Sequence, residues 1–522
     1  MSLKKIPWHA VFIVLYPIVF LYAENMQHVQ LSDVWSPLIK VVAGAIGLFL
    51  LLLLAFRNGT KAAILFTVMV FLFFHYRQYY SALYPGVIPL IKVRFDHNFY
   101  KWFSLCLSLL VTWRLIKSKS DFSKVTRLFN FFTIILIGFS FVKIATFIRA
   151  ESKINLPKKT VSTGSETVLQ PNGEPPSIFY LIVDAYGRED ILNSLFDHDN
   201  SAFTDFLEEE DFYVADKSFA NYNQTVLSLP SAMNMTYLDS FADVVGRDYR
   251  SRTPLKLLIH NNTLVANLEE IGYTSIGFDA AIYDDVQLDS VDVFMETGVE
   301  RINLFESELV NSTIITAFNR NYGEPQNEDD RYTLHRRKIL NAFDNIQELT
   351  KEEGPLYVHG HVLSPHQPFV FDENGNSVTP KHEYTIWRPI QAGRDPKEYK
   401  VEYIQQLKFI NKKLTETVKA IKANNKNAII IIQGDHGPCS ELNDIDHFEN
   451  NNFAERMPIL NAYYFPDHDY SMLSKDISPV NSYRVIYNKY FGKNMPLLPN
   501  RSYYATWMYP YQFRDVTDSL PQ

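Results

Sequence analysis

Long apolar runs fill the first 150 residues, and short apolar runs alternate with helical periods beyond residue 177. Each long run approaches the ~20 residues that span a bilayer core. The pattern therefore predicts a transmembrane domain of five helices over residues 1–149, with the individual spans at about 7–23, 36–56, 62–82, 100–116 and 128–148. No small-residue cleavage site follows the first run, so we interpret it as a retained helix rather than a signal peptide.

Basic residues favour one side of the predicted helices. The residues in question are Lys4, Lys5, Arg57, Lys61, Lys117, Lys119, Lys124 and Arg127. By the positive-inside rule this side is cytoplasmic, and so is the N-terminus. After an odd number of spans, everything beyond Arg149 lies outside. We therefore expect a multi-pass protein of the cytoplasmic (inner) membrane with a large periplasmic or extracellular domain.

Residues 150–176 have no apolar period and contain Lys, Thr, Ser, Gly and Pro, which predicts a linker. Beyond it, residues 177–522 form the predicted extracytoplasmic domain. The run from Ile178 to Val183 is continuously apolar, as in a strand that is buried on both faces. Similar runs follow at residues 273–278, 356–362, 428–432 and 460–465.

Helical periods separate these predicted strands. The most regular one carries apolar residues every three or four positions, at Ile404, Leu407, Ile410, Leu414, Val418 and Ile421. Strands that alternate with helices predict an α/β domain with a doubly wound, mostly parallel sheet. In such sheets ligands bind beyond the carboxyl ends of the strands, so polar residues at those positions are candidate site residues.

Charge is divided unequally along the chain. The first 150 residues hold 16 Lys and Arg against 4 Asp and Glu, and the remainder holds 34 against 54. An acidic external domain argues against nucleic acid as a partner, because nucleic-acid binding needs a basic surface. The two cysteines, Cys106 and Cys439, exclude a disulfide framework and a Cys-ligated zinc site.

Carboxylates and an imidazole follow two of the predicted strands. Asp184 comes directly after the first strand, and Asp435-His436-Gly437 follow the run from Ile429 to Gly434. An Asp at such a position can also cap the next helix. Together, however, these oxygen and nitrogen ligands can converge on one divalent cation and suit zinc or manganese.

A hydroxyl group and a cluster of imidazoles complete the candidate site. Thr225 lies in the segment from Asn221 to Asn234, which also contains Asn223; alone it would be interpreted as a cap or turn residue. Beside a dication, its hydroxyl can lose a proton and attack phosphorus or sulfur. His359, His361 and His366 cluster at the end of another strand, where they can bind metal, transfer protons or bind phosphate.

In this order, the motifs resemble the alkaline phosphatase and sulfatase superfamily. The five-helix anchor resembles its membrane branch, which includes the lipid A phosphoethanolamine transferases and the lipoteichoic acid synthases. The stretch from Thr225 to Pro230 is similar to the transferase motif in which two residues, Ser, an aliphatic residue and Pro follow the Thr nucleophile. His361 and His366 keep the interval of that family's His pair.

The resemblance implies a role for each candidate residue. Asp184, Asp435 and His436 would hold the metal, with Thr225 as fourth ligand and nucleophile. His366 would bind or protonate the transferred group, and His361, His447 and Asn223 would bind substrate. The implied cofactor is one divalent ion, zinc or manganese, with calcium as an alternative and a second ion entering with substrate.

The implied function is the transfer of a phosphoethanolamine or phosphoglycerol group. The donor would be a phospholipid and the acceptor an envelope glycan, lipid or polymer. Asp184 departs from this pattern, because transferases of the branch usually have Glu there. One alternative is a sulfatase-like hydrolase of surface glycoconjugates, although Ser228 to Ala232 lack the Cys and the Arg of the formylglycine sulfatase signature. A degenerate domain that only binds glycans or scaffolds an envelope assembly is the non-enzymatic alternative.

Overall fold

The structure, a computed structural model, describes residues 6–26, 29, 31–78, 97–151, 169–279, 286–297, 304–315, 328–382, 384, 395–440, 448 and 452–521. Within it the chain divides into two compact units. Met1–Lys153 and Glu300–Asn327 form the membrane unit, and Ile154–Val299 and Glu328–Gln522 form the α/β unit. The packing of residues 304–315 on the membrane helices has no counterpart in the sequence analysis. The predicted linker falls mostly outside the described residues and stays a prediction.

The helices and strands are named here in chain order. They are α1 (His9–Asn25), α2 (Ser32–Phe56), α3 (Gly59–Phe74), α4 (His97–Lys117), α5 (Ser123–Glu151), β1 (Ser177–Val183), α6 (Glu189–Phe196), α7 (Ser201–Glu209), β2 (Tyr213–Val214), α8 (Thr225–Asn234), α9 (Asp239–Val245), α10 (Thr253–His260), α11 (Thr263–Glu270), β3 (Thr274–Phe278), β4 (Val293–Met295), α12 (Leu304–Asn311), α13 (Glu328–Leu349), β5 (Leu356–Val362), α14 (Pro396–Asn424), β6 (Ala428–Gln433), α15 (Phe453–Arg456), β7 (Asn461–Tyr464), α16 (Pro479–Tyr490), β8 (Tyr503–Tyr504) and β9 (Arg514–Asp515).

Within the described residues, five apolar helices occupy the first part of the membrane unit, at the predicted places. Three of them, α2, α4 and α5, contain stretches that are long and apolar enough to cross a membrane. The other two, α1 and α3, have 17 and 16 residues, which is short of the ~20 that a bilayer core requires. Five spans therefore stay a prediction, of which three are supported by length and composition.

Contacts between the helices fix their relative directions. Lys143 of α5 pairs with Glu24 of α1 at 2.6 Å, near the last turn of α1 and late in α5, so these two helices run parallel. Lys61, at the start of α3, donates to the carbonyl of Ser118, just beyond the end of α4, at 3.0 Å. These two helices are therefore antiparallel. The basic sequences on either side of these contacts, around residues 57–61 and 117–127, consequently lie at one end of the bundle.

The α/β unit is built on a seven-stranded sheet in the order β2-β7-β6-β1-β5-β3-β4. The five strands from β6 to β4 are mutually parallel; β7 is antiparallel to β6, and the edge strand β2 is antiparallel to β7. All five predicted strands are present, and the prediction of a mostly parallel sheet is confirmed. The short strands β2 and β4 were not predicted.

Both faces of the sheet are covered by helices. Phe179, Leu181 and Val183 of β1 pack into a core with residues of α6, α7, α13 and α14. The residues between them pack on the other face with α8, α11 and α16. This alternation explains why β1 reads as a continuous apolar run. It also confirms the doubly wound arrangement.

Register then places the candidate site. Ile182 of β1 pairs with His361 of β5 on one side and with Gln433 of β6 on the other. Asp184 and Asp435 each lie two residues further along neighbouring parallel strands. Their side chains therefore meet at the same edge of the sheet, beside His361.

Candidate active site

Two carboxylates lie side by side at the carboxyl ends of the central strands. Asp184 is 1% exposed and Asp435 is 3% exposed. The amide of Ala185 donates to Oδ1 of Asp435 at 3.1 Å. Among the described residues, Oδ1 of Asp184 and Oδ2 of Asp435 find no hydrogen-bond partner. A buried carboxylate oxygen without a partner destabilises the folded protein, so these two atoms are candidates to bind a ligand.

Two imidazoles face the same carboxylates. Nε2 of His436 lies 3.3 Å from Oδ2 of Asp435 and 3.6 Å from Oδ1 of Asp184. Nδ1 of His436 donates to the carbonyl of Gly437 at 3.0 Å, so Nε2 carries the lone pair in the neutral ring. Nε2 of His361 lies 3.5 Å from Oδ2 of Asp184 and has no hydrogen-bond partner within the described chain.

These groups fit a divalent cation. One ligand atom from each of Asp184, His361 and Asp435 lies within 4.8 Å of the other two. Burial, and then the charge of Asp184, raise the pKa of Asp435 to about 7. For Asp184, burial alone would raise the pKa, but the imidazoles of His366, His361 and His436 outweigh it and the pKa is lowered. Ionisation of both carboxylates is therefore unfavourable unless a cation lies between them.

Close packing allows only glycine at position 437 of the Asp-His-Gly triplet. A Cβ atom at this position would lie 2.3 Å from the carbonyl oxygen of Glu455, and its own amide donates to the carbonyl of Arg456 at 2.7 Å. A side chain there would displace the backbone that carries Asp435 and His436. The glycine thus allows the loop before β7 to close over the site.

Thr225 presents its hydroxyl to this cluster. It is the first residue of α8, and its Oγ1 lies 3.2 Å from Nε2 of His436. Thr225 is partly exposed, whereas the residues on both sides of it are buried. The start of a helix also favours negative charge, such as that of a phosphate group.

Ser228, one turn further along α8, is not presented in the same way. Its side chain is buried, and its hydroxyl donates to the carbonyl of Tyr222 at 2.9 Å. Of the two hydroxyls in the predicted nucleophile motif, only that of Thr225 faces the cluster of carboxylates and imidazoles. Ser228 instead fixes the turn that leads into α8.

Asn223 supports the turn before Thr225. Its side-chain amide donates to the carbonyl of Ala505 at 3.1 Å, and its side-chain oxygen accepts from the amide of the same residue at 3.0 Å. Both ends of the side chain are thus engaged with backbone. Substrate binding by Asn223 stays a prediction, as does that by His447, which lies outside the described residues.

His366 lies at the open side of the site. Its amide donates to the carbonyl of Asp184 at 3.0 Å, and its ring is partly exposed, 6.1 Å from that of His436. Nδ1 donates to the carbonyl of Gln367, which leaves the lone pair on Nε2. Desolvation lowers the pKa of His366, so the ring is neutral near pH 7 and able to accept a proton.

Arg456 is a site residue that the sequence analysis missed. Its Nε donates to the carbonyl of Asn223 at 3.0 Å, and its Nη1 donates to that of Gly437 at 2.8 Å. It therefore links the Thr225 turn to the Asp-His-Gly loop. Its charge helps to lower the pKa of both His366 and His436, after the larger effect of burial. The sequence could not predict this role, because Arg456 belongs to no motif and reaches the site only through the position of α15 in the fold.

Comparisons with protein-family models and with curated protein sequences find no match. Solved structures do match. The chain is similar to the periplasmic domain of EptC from Escherichia coli in complex with Zn, at 12% identity and a TM-score of 0.44, covering 69% of this chain and 98% of that one.

Two other matches include the membrane region or the wider superfamily. The integral membrane lipooligosaccharide phosphoethanolamine transferase EptA from Neisseria meningitidis matches at 10% identity and a TM-score of 0.41, over 92% of this chain and 94% of that one. An alkaline phosphatase superfamily protein from Vibrio parahaemolyticus matches at 13% identity and a TM-score of 0.36, over 66% and 79%. The matches thus include the superfamily and the membrane branch that the motifs resemble.

Loss of either strand-end carboxylate should remove the metal. We expect Asp184→Asn and Asp435→Asn to lose a stoichiometric divalent ion that the wild-type protein retains, because each variant replaces one of two anionic ligands by a neutral amide. Elemental analysis of the purified full-length protein measures this. Asp372→Asn, in a turn away from the site, is the matched control. Wild-type protein without stoichiometric metal, or either variant with a full complement, would contradict the metal assignment.

Arg456→Gln should lower turnover of a phosphodiester by about 10²–10³-fold, the usual cost of removing a group that stabilises charge in a transition state. The turnover of Arg456→Lys should lie between that of the wild type and that of Arg456→Gln, since lysine keeps the positive charge but lacks the planar guanidinium group. Arg484 is a suitable control, because it also donates to backbone carbonyls, those of Met235 and Pro496, but away from the site. Equal turnover by Arg456→Gln and Arg484→Gln, at equal melting temperature, would reduce Arg456 to a structural role.

Proposed function

We propose that the protein is a membrane-anchored, metal-dependent phosphotransferase that acts outside the cytoplasmic membrane. It moves a phosphoethanolamine or phosphoglycerol group from a phospholipid to a hydroxyl of an envelope glycan, lipid or polymer. One observation carries the proposal. Thr225 is partly exposed at the start of α8, and its hydroxyl lies 3.2 Å from Nε2 of His436, beside two buried carboxylates. This geometry suits a nucleophile that becomes covalently phosphorylated.

The orientation of the membrane unit supports an external active site. The basic sequences around residues 57–61 and 117–127 lie at one end of the bundle and indicate the cytoplasmic side. Residues 304–315 come from the second half of the chain and pack at the other end, where the amide of Ile314 donates to the carbonyl of Phe73 at 2.8 Å. This is the end at which part of an external half of the chain is expected.

A metal would be held by Asp184, Asp435, His436 and Thr225, and His361 lies close enough to take part. When bound, a divalent cation lowers the pKa of a hydroxyl and offsets negative charge on a phosphate in transfer. The mixed oxygen and nitrogen ligands suit zinc or manganese. His436 is prepared for this role, because its Nδ1 bond to Gly437 turns the Nε2 lone pair towards the carboxylates.

In the first step, Oγ1 of Thr225 attacks the phosphorus of the phospholipid. A bond forms between Oγ1 and phosphorus, and the bond from phosphorus to the diacylglycerol oxygen breaks. Nε2 of His366 is free to accept the Thr225 proton and to return it to the leaving oxygen. Arg456, which links the Thr225 turn to the Asp-His-Gly loop, supplies positive charge while the phosphate is five-coordinate. The products are diacylglycerol and a phosphothreonine that carries the head group.

The second step reverses these roles. The hydroxyl of the acceptor attacks the same phosphorus, and its proton passes through His366 to Oγ1 of Thr225 as the bond between Oγ1 and phosphorus breaks. The head group leaves on the acceptor, and Thr225 regains its hydroxyl. A phospholipid donor gives the membrane unit a purpose, since the donor resides in the bilayer.

A hydrolase is the alternative, with water as the acceptor in the second step. The same residues would perform both reactions, so the site alone favours neither. The hydrolase and the transferase differ in their products when no acceptor is present. A hydrolase releases free head-group phosphate in proportion to diacylglycerol, whereas a transferase stops after one covalent turnover.

Thr225→Ala should lower phospholipid cleavage by at least about 10³-fold, because only a hydroxyl can form the covalent intermediate. Thr225→Ser should retain part of the activity. The measurement is diacylglycerol release from liposomes that contain phosphatidylethanolamine or phosphatidylglycerol, with full-length protein reconstituted in them.

Ser228→Ala is the matched control, since it removes a hydroxyl one turn along the same helix that does not face the site. It should retain most of the activity when the two variants are compared at equal melting temperature. Near wild-type cleavage by Thr225→Ala together with loss in Ser228→Ala would make Ser228 the nucleophile and overturn the assignment.

A further inference from the structure

An apolar groove runs along the membrane unit between α2 and α3. Its volume is about 400 Å³, and it is lined by side chains that include Val14, Leu48, Met69 and Phe73. Gly44 also lines it, and a Cβ atom there would meet nothing within 4 Å. The groove is therefore open along part of a helix that is itself long and apolar enough to cross a membrane.

One wall of the groove comes from a distant part of the sequence. Residues 304–315 pack on the membrane helices, with Phe305 and Leu309 buried in their apolar cluster. The amide of Arg77 donates to the carbonyl of Ser312 at 3.3 Å, and the Arg77 side chain pairs with Glu308 at 3.1 Å. The groove thus depends on a segment that returns from the second half of the chain to the membrane helices.

The groove is polar at one end and apolar at the other. Lys40 donates to both carboxylate oxygens of Glu306, at 2.7 and 2.9 Å, and its side chain remains 61% exposed. Eight residues along α2, Leu48 lies about 12 Å deeper at the helical rise per residue. Since α2 begins at the end of the bundle where residues 304–315 pack, the charged pair lies towards the proposed external surface and the apolar end lies towards the membrane centre.

This distribution matches one class of ligand. A phospholipid carries its phosphate at the membrane surface and its acyl chains within the hydrocarbon core. The Lys40 ammonium group has three donors, and two of them reach Glu306. The third can meet a lipid phosphate while the acyl chain lies along the apolar floor.

We propose that this groove binds one acyl chain of a phospholipid, with the lipid phosphate at Lys40. The inference rests on the proposed use of a phospholipid donor and gives that donor a holding site in the membrane unit. Residues 304–315 then have a defined role, which is to complete the wall of the lipid site. The head group that the pair of Lys40 and Glu306 suits is zwitterionic, since the pair offers one charge of each sign.

Two glycines of the same helix provide a matched test. A Cβ atom at Gly44 or at Gly47 would meet no neighbour within 4 Å, yet only Gly44 lines the groove. Gly44→Leu fills the groove, whereas Gly47→Leu makes the same change in side chain and helix propensity outside it. Ala45→Leu, which also narrows the groove, is a second filling variant.

The measurement is native mass spectrometry of delipidated full-length protein titrated with phosphatidylethanolamine or, in parallel, phosphatidylglycerol. We expect Gly44→Leu and Ala45→Leu to weaken binding of phosphatidylethanolamine by about tenfold or more, as loss of about two buried methylene groups would. Gly47→Leu should bind as the wild type does, and phosphatidylglycerol should bind more weakly than phosphatidylethanolamine. Unchanged binding in both filling variants, or equal loss in Gly47→Leu, would overturn the proposal. So would loss of a dimer rather than of lipid, because the groove would then bind a second copy of the chain.

Turnover of a soluble aryl phosphodiester separates this inference from the proposed function. It should be unchanged in Gly44→Leu, since the variant leaves the α/β unit intact. If the wild type binds lipid through Gly44 but cleaves no phosphodiester, the groove stands and the phosphotransferase proposal fails. If the wild type cleaves phosphodiesters but Gly44→Leu does not change lipid binding, the phosphotransferase proposal stands and the lipid groove fails.

Discussion

Two like charges face each other at the carboxyl ends of two neighbouring strands, and the candidate site is organised around them. Asp184 and Asp435 are both almost fully buried, and burial, followed by the charge of Asp184, raises the pKa of Asp435 to about 7. In a medium of low polarity, such a pair is stable only if it shares a proton or binds a cation. The Ala185 amide donates to only one oxygen of Asp435, so that among the described residues Oδ1 of Asp184 and Oδ2 of Asp435 have no hydrogen-bond partner and can bind a cation.

The proposed nucleophile is held in a fixed position by the turn that precedes it. Thr225 begins a helix whose preceding turn is held by Asn223 at Ala505 and by Arg456, so its hydroxyl is fixed beside His436 rather than left on a mobile loop. The helix N-terminus and the neighbouring Arg456 favour negative charge beside a hydroxyl that the turn holds in place. Phosphoryl transfer needs this combination, because its chemistry depends mainly on position and charge.

The sequence was sufficient for features that depend on local pattern. The apolar runs located all five predicted strands, and the parallel register then followed from their alternation with helices. Asp184 and Asp435 could be paired because parallel strands end at one edge. Features that depend on chain reversal could not be found in this way. Arg456 reaches the site only through the fold of α15, and residues 304–315 join the membrane helices although nothing in their pattern indicates which apolar surface they cover.

Covalent capture of the head group tests the central claim most directly. Full-length wild-type protein is incubated with phosphatidylethanolamine, without an acceptor, then quenched in acid and digested for mass spectrometry. The account predicts a peptide that contains Thr225 with the added mass of one phosphoethanolamine group on that residue. Diacylglycerol release without any such adduct, or an adduct on another residue, would contradict it.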